Sequence, residues 1–81
     1  MVALGQTISV QRKSLGLTQD ELAFRADLHR TYIADIERGA RNISLLSLTR
    51  LASALEIHTS SLFLAIEREL AKQQPPDLPS S

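Results

Sequence analysis

At 81 residues the chain can form one small helical core but cannot add a separate ligand-sensing module, so control by a bound small-molecule effector is not expected. It has no cysteine, which removes disulfide staples and thiolate metal sites and fits a reducing, cytoplasmic setting, and no apolar run approaches the roughly 18 residues that a membrane span needs. Nine basic against nine acidic side chains leave no net charge, which argues against a sequence-blind nucleic-acid coat, whose surface would be strongly basic.

Leu4, Ile8 and Leu15 fall on one side of a first helix, from about Leu4 to Leu15, which Gly16 can end in left-handed backbone. A second helix starts at Thr18. Glu21 follows three residues later as the other half of a capping box, and Leu17 and Leu22 flank the entry where an apolar clip forms. Leu22, Ala23 and Ala26 make its inner stripe, with alanines small enough for a neighbouring helix to come close. Asp27 sits where the chain must turn. Glycine is usual at such a point, but Asp tolerates left-handed backbone better than most residues, and Leu28 plugs the corner. In the third helix Ile33 and Ile36 point inward, leaving Arg30, Thr31, Ala34, Asp35 and Arg38 on a separate outward face. Gly39 ends it, and after residues 40–43 Ser44 caps a fourth helix with a stripe of Leu45, Leu48, Leu51, Ala52 and Leu55. Thr59 caps a fifth helix reaching about Lys72. Residues 73–81 hold three prolines, two terminal serines and only Leu78 to bury, so they are expected to form a tail without packed structure behind a domain of residues 1–72. No segment alternates as a strand does, and the predicted fold is all-α.

Two short helices joined by so tight a corner form a helix-turn-helix, an architecture that presents its second helix to a DNA groove. The charge is polarised accordingly. From His29 to Arg50 there are Arg30, Arg38, Arg41 and Arg50 against Asp35 and Glu37, whereas from Leu51 onward Glu56, Glu67, Glu69 and Asp77 outnumber Arg68 and Lys72. One end can face phosphate while the other is kept for a protein contact. On the outward face Arg30 is the first candidate reader: its planar guanidinium can grip guanine O6 and N7 together, worth roughly 1–3 kcal/mol of discrimination, or it can reach a phosphate instead. Thr31 offers a hydroxyl to a base or phosphate and a methyl to thymine, though it is also an ordinary first-turn residue. Tyr32 either reaches the DNA through its hydroxyl or packs on the domain. Asp35 is repelled by phosphate, so it accepts from cytosine N4 or orients Arg30 or Arg38, the second being favoured. Arg38 adds phosphate attraction, and Ser47, in the first turn of the fourth helix, is a further phosphate candidate.

Arg12 and Glu37 are charged yet sit on inward faces. An isolated buried charge is costly, so the two are expected to form an ion pair that locks the first helix to the third. His29 and His58 lie apart with no carboxylate pattern around them, so no metal or cofactor is implied; His29 starts the third helix within reach of a phosphate. Leu62, Phe63, Leu64, Ala65 and Ile66 are consecutive, and one helix cannot bury every side in a domain this small. Leu62, Phe63, Ile66 and Leu70 are therefore assigned to self-association with a second copy about a two-fold axis, the other reading being that the run closes the monomer core.

The segments GLTQDELA, LHRTYIADIERGARN, SLLSLTRLASAL and the Ser-Leu-Phe of the fifth helix together resemble the Cro/cI-type (XRE) helix-turn-helix regulators, from about Leu4 to Phe63. Within that family LHRTYI and ERGARNISL look most like the controller proteins of restriction-modification systems. The resemblance implies a five-helix lambda-repressor-like domain, acting as a homodimer on double-stranded DNA with a pseudo-palindromic operator. It also implies a base-contacting role for Arg30, a phosphate held by Gln19 at the start of the second helix, and a second phosphate clamp from Arg41, Asn42 and Ser44. The chain departs from the pattern at Asp27, where glycine is common, and in QTISVQRK, which is poorer in basic residues than usual and implies fewer phosphate contacts from the first helix. The rival reading is an antitoxin-like or scaffolding module whose fifth helix or Pro-rich tail engages another protein. No nucleophile–base pair, Gly-rich phosphate loop or clustered acid pair points to an enzyme.

Overall fold

The apolar stripes close on one another as α1 (Val2–Ser14), α2 (Gln19–Ala26), α3 (Arg30–Glu37), α4 (Leu45–Ala54) and α5 (Thr59–Gln73), with no strand among the described residues. The computed structural model describes residues 1–73. The expected tail lies outside these apart from Gln73, which is the last residue of α5.

Local chemistry sets most of the boundaries. Thr18 Oγ1 accepts from the Glu21 amide at 3.1 Å while Glu21 Oε1 accepts from the Thr18 amide at 3.0 Å, and Leu17 is buried beside them. Such an N-cap is worth about 1 kcal/mol, and hydrogen bonding from the Thr18 main-chain amide, with its hydroxyl second, holds the Glu21 carboxyl below the ordinary carboxylate range. Asp27 takes φ 55 and ψ 46, in the left-handed region, so that the Leu28 amide donates back to the Ala23 carbonyl at 2.9 Å. His29 then caps α3, its Nδ1 accepting from the Thr31 amide at 3.2 Å. Ser44 caps α4 through the Ser47 amide at 3.1 Å.

Four features differ from what the sequence predicts. α1 starts at Val2 rather than Leu4, because the carboxylate of Glu69 on α5 accepts from the amides of Val2 and Ala3, each at 3.4 Å. The helix ends at Ser14, so Leu15 falls outside it and is exposed, and the inner position one turn after Ile8 belongs to Arg12. Leu45, at the first turn of α4, projects beyond the core with 65% of its surface exposed. Thr59 is the first residue of α5 rather than its cap, following a left-handed Glu56 (φ 59).

The core is built from Leu4, Ile8, Leu22, Ile33, Ile36, Leu48, Leu51, Leu55 and Leu62, all fully buried, each worth about 1.5–3 kcal/mol. α1 packs on α3 and α5, α2 on α3 and α4, and α4 on α5. The α1–α3 approach is close enough that a Cβ on Gly5 would lie 2.5 Å from the carbonyl oxygen of Ile36 and 2.6 Å from that of Glu37. None of the described helices is long and apolar enough to cross a membrane.

Candidate nucleic-acid interface

α3 is fixed from behind before any side chain is aimed outward. Glu37, at the inner end of α3, accepts from Arg12 Nε at 2.7 Å and Nη2 at 2.9 Å, and from Gln19 Nε2 at 3.2 Å; Arg12 Nη1 donates to the Leu17 carbonyl at 2.8 Å. The two charged side chains are only 11% and 7% exposed. Burial pushes the Glu37 carboxyl up, but hydrogen bonds from Arg12 and Gln19 and the arginine charge outweigh it and hold the group below the ordinary carboxylate value. The same pairing raises Arg12. The expected pair therefore forms and ties α1, the start of α2 and the end of α3 into one unit. Gln19, expected on a phosphate, gives one side-chain N–H to this network, so the donors that remain at the start of α2 are its second side-chain N–H and its main-chain amide.

On the outer face, Arg30 and Thr31 are exposed at the first turn of α3, and Tyr32 is half-buried against the core. Arg30 Nε lies 3.0 Å from Oδ1 of Asp20 on α2, a partner the sequence reading did not find. Asp35 does not orient Arg30. Its Oδ1 takes Arg38 and its Oδ2 faces Arg41 Nε at 3.5 Å, so both oxygens are engaged in holding arginines rather than open to a base. The Arg41 guanidinium also sits over the Tyr32 ring, 5.1 Å from its centroid. Asp35 thus gathers Arg38, Arg41 and Tyr32 at the far end of the α3 face. His29, with Nδ1 accepting from the backbone, carries its proton on Nε2, available to an anion. Ser44 spends its hydroxyl on Ser47, accepting from the amide and donating to Ser47 Oγ at 2.9 Å, while Asn42 beside it is exposed.

The stripe assigned to self-association divides. Leu62 is wholly buried in the monomer core and is removed from that surface, because it faces the interior of the bundle with Ala65. Phe63 and Leu70 are exposed at 42% and 55%, Ile66 is partly buried, and Leu64, 52% exposed, widens the patch.

A short helix braced across another through a left-handed corner, with arginines on its open side, defines a helix-turn-helix DNA-binding domain. The Helix-turn-helix family model matches residues 8–62. The chain belongs to this helix-turn-helix family of DNA-binding transcriptional regulators. It is 42% identical over 59 residues to the control protein C.BamHI of Bacillus amyloliquefaciens, covering 72% of this chain and 73% of that one. Among solved structures it is similar to the restriction-modification controller protein C.AhdI of Aeromonas hydrophila, with a TM-score of 0.74 and 44% identity over 76% of this chain and 94% of that one. It is also similar to SinR of Bacillus subtilis, the master regulator for biofilm formation, solved in complex with DNA, with a TM-score of 0.71 and 31% identity over 74% of this chain and 97% of that one.

Proposed function

We propose that the protein is a sequence-specific transcriptional regulator that binds as a homodimer to a pseudo-palindromic operator, as a controller of a restriction-modification system. The observation that carries this reading is the α3 face, exposed at Arg30 and Thr31 and braced from behind by the buried Arg12–Glu37 pair. Two copies place α3 in successive major grooves about 34 Å apart. Arg30 and Thr31 contact bases, with Tyr32 at their side; Gln19, His29, Arg38, Arg41 and Asn42, with the cap of α4 at Ser44 and Ser47, contact phosphates. Most of the affinity comes from those phosphates, and selectivity comes from the base contacts together with DNA bending. Phe63, Leu64, Ile66 and Leu70 form the two-fold contact. C.BamHI and C.AhdI, both control proteins by name, support the controller role, and the SinR–DNA complex supports the mode of binding.

The test is selection of bound duplexes from a randomised pool, with sedimentation of the complexes. The proposal expects two inverted half-sites with centres about 10 base pairs apart, two chains per duplex, and affinity that falls steeply with salt. Enrichment of no sequence, or of a single half-site bound by one chain, refutes it.

A further inference from the structure

We infer that Asp20 is a specificity-determining residue, holding Arg30 so that the guanidinium meets guanine end-on through its two terminal nitrogens. The inference rests on the base-reading role proposed for Arg30. The geometry is the 3.0 Å contact between Arg30 Nε and Asp20 Oδ1, which joins the first turn of α2 to the first turn of α3 across the outer face. With the Asp20 carboxylate standing against the Nε edge of the guanidinium, the acceptors O6 and N7 are kept from the side-on grip that uses Nε together with one terminal nitrogen, and the end-on pair faces them instead.

Beyond the small favourable effect of a carboxylate in the first turn of α2, Asp20 contributes little to the fold. The two side chains are 73% and 65% exposed, so their attraction in water adds little to the fold. Asp20 also stands next to Gln19, the residue assigned to a phosphate, where a carboxylate opposes the DNA backbone. Its charge therefore weakens sequence-blind binding while its ion pair with Arg30 favours one base, and both effects raise the ratio of specific to non-specific affinity. Without Asp20 the long arginine side chain swings to the nearest phosphate and becomes a contact that carries no sequence information. The other carboxylate on this face cannot substitute, because Asp35 is taken by Arg38 and Arg41.

The experiment runs the randomised-duplex selection with the full chain as wild type, Asp20→Ala, Asp20→Asn, Arg30→Ala and the double variant Asp20→Ala/Arg30→Ala. Each is then titrated against the wild type's preferred duplex, the same duplex with each guanine replaced, and a scrambled duplex. Thermal melting close to that of the wild type is expected for the Asp20 variants. The wild type is expected to show a guanine in each half-site whose preference disappears in Arg30→Ala. That preference falls about tenfold in Asp20→Ala, within the range a bidentate contact supplies. Asp20→Ala should bind the scrambled duplex several-fold more tightly, and Asp20→Asn, which keeps an acceptor but not the charge, should lie between. In the Arg30→Ala background the Asp20 substitution should not change base preference further. Undiminished guanine preference in Asp20→Ala, or the same loss with and without Arg30, overturns the role of Asp20 and leaves Arg30 as the reader. If no guanine preference depends on Arg30 at all, the base-reading assignment fails and the inference falls with it.

Discussion

Replacing Arg12 with Leu isolates the contact on which the placement of α3 depends. The substitution keeps the apolar stem but strands the Glu37 carboxylate at 7% exposure with only the neutral side chains of Gln19 and Ser9 beside it, and it leaves the Leu17 carbonyl without the Arg12 donor. Breaking a buried pair from one side costs about 3–5 kcal/mol, because the surviving charge stays desolvated without compensation. A domain of this size is stable by about 4–12 kcal/mol in total, so the variant retains a fraction of that or none. At about 5 °C per kcal/mol the melting temperature drops by roughly 15–25 °C. The assay is urea and thermal denaturation at one fixed chain concentration, since the proposed self-association would make the midpoint depend on concentration. A companion variant, Arg12→Leu/Glu37→Leu, removes both charges and should recover most of the loss, because an apolar pair of similar volume is tolerated where a lone charge is not. A single-variant loss below about 1 kcal/mol, the value of a solvent-exposed pair, would count against a buried, uncompensated charge at Glu37. So would a double variant as unstable as the sum of its parts.

Gly5→Ala places a methyl group against two main-chain carbonyls that cannot rotate away, so α1 must lift from α3, and a loss of about 1–3 kcal/mol in urea unfolding is expected. The stability of the wild type should depend on acid in a direction set by Glu37: its folded carboxyl titrates below the unfolded value near ~4.3, so the unfolded chain takes up more protons in that interval. Stability is then complete above about pH 5 and declines as the pH falls through the unfolded value toward the folded one, and urea midpoints between about pH 3 and 6 should show a shallower decline for Glu37→Gln. Phe63→Glu puts a charge into the exposed patch of α5 while sparing the buried Leu62 and Ala65; sedimentation should find a folded monomer, and a persistent dimer counts against the assigned two-fold contact.

What could be read from the sequence was whatever short-range chemistry decides. The entry to α2 was legible because Thr18 and Glu21 cap each other within one turn, and the corner was legible because Asp27 can hold left-handed backbone. Arg12 and Glu37 announced their pairing as charges lying on apolar stripes. The start of α1 was not legible, since its cap is supplied by Glu69, 66 and 67 positions further along the chain. Nor was the left-handed turn at Glu56, which carries no glycine to mark it. Five consecutive apolar residues in α5 give no phase, so Leu62 and Phe63 could not be told apart until the helix was seated on α1 and α4. On the candidate interface, the exposed place of Arg30 on the first turn of α3 was legible, but its Asp20 partner depends on the angle between two helices, which local spacing does not encode. Asp35 was assigned to orient arginines, yet which ones depends on how the loop after α3 returns Arg41 to its side.

At Gly5 the backbones of α1 and α3 touch with no side chain between them, and the amino end of α1 is held by a carboxylate from α5. Main chain against main chain has almost no give, so α1 behaves as the rigid arm of a caliper, joining the helix proposed to meet a second copy to the helix proposed to meet DNA. In such a dimer the span between the two reading heads is built into the protein, and operators with the wrong gap are rejected through the cost of stretching or twisting the DNA to fit.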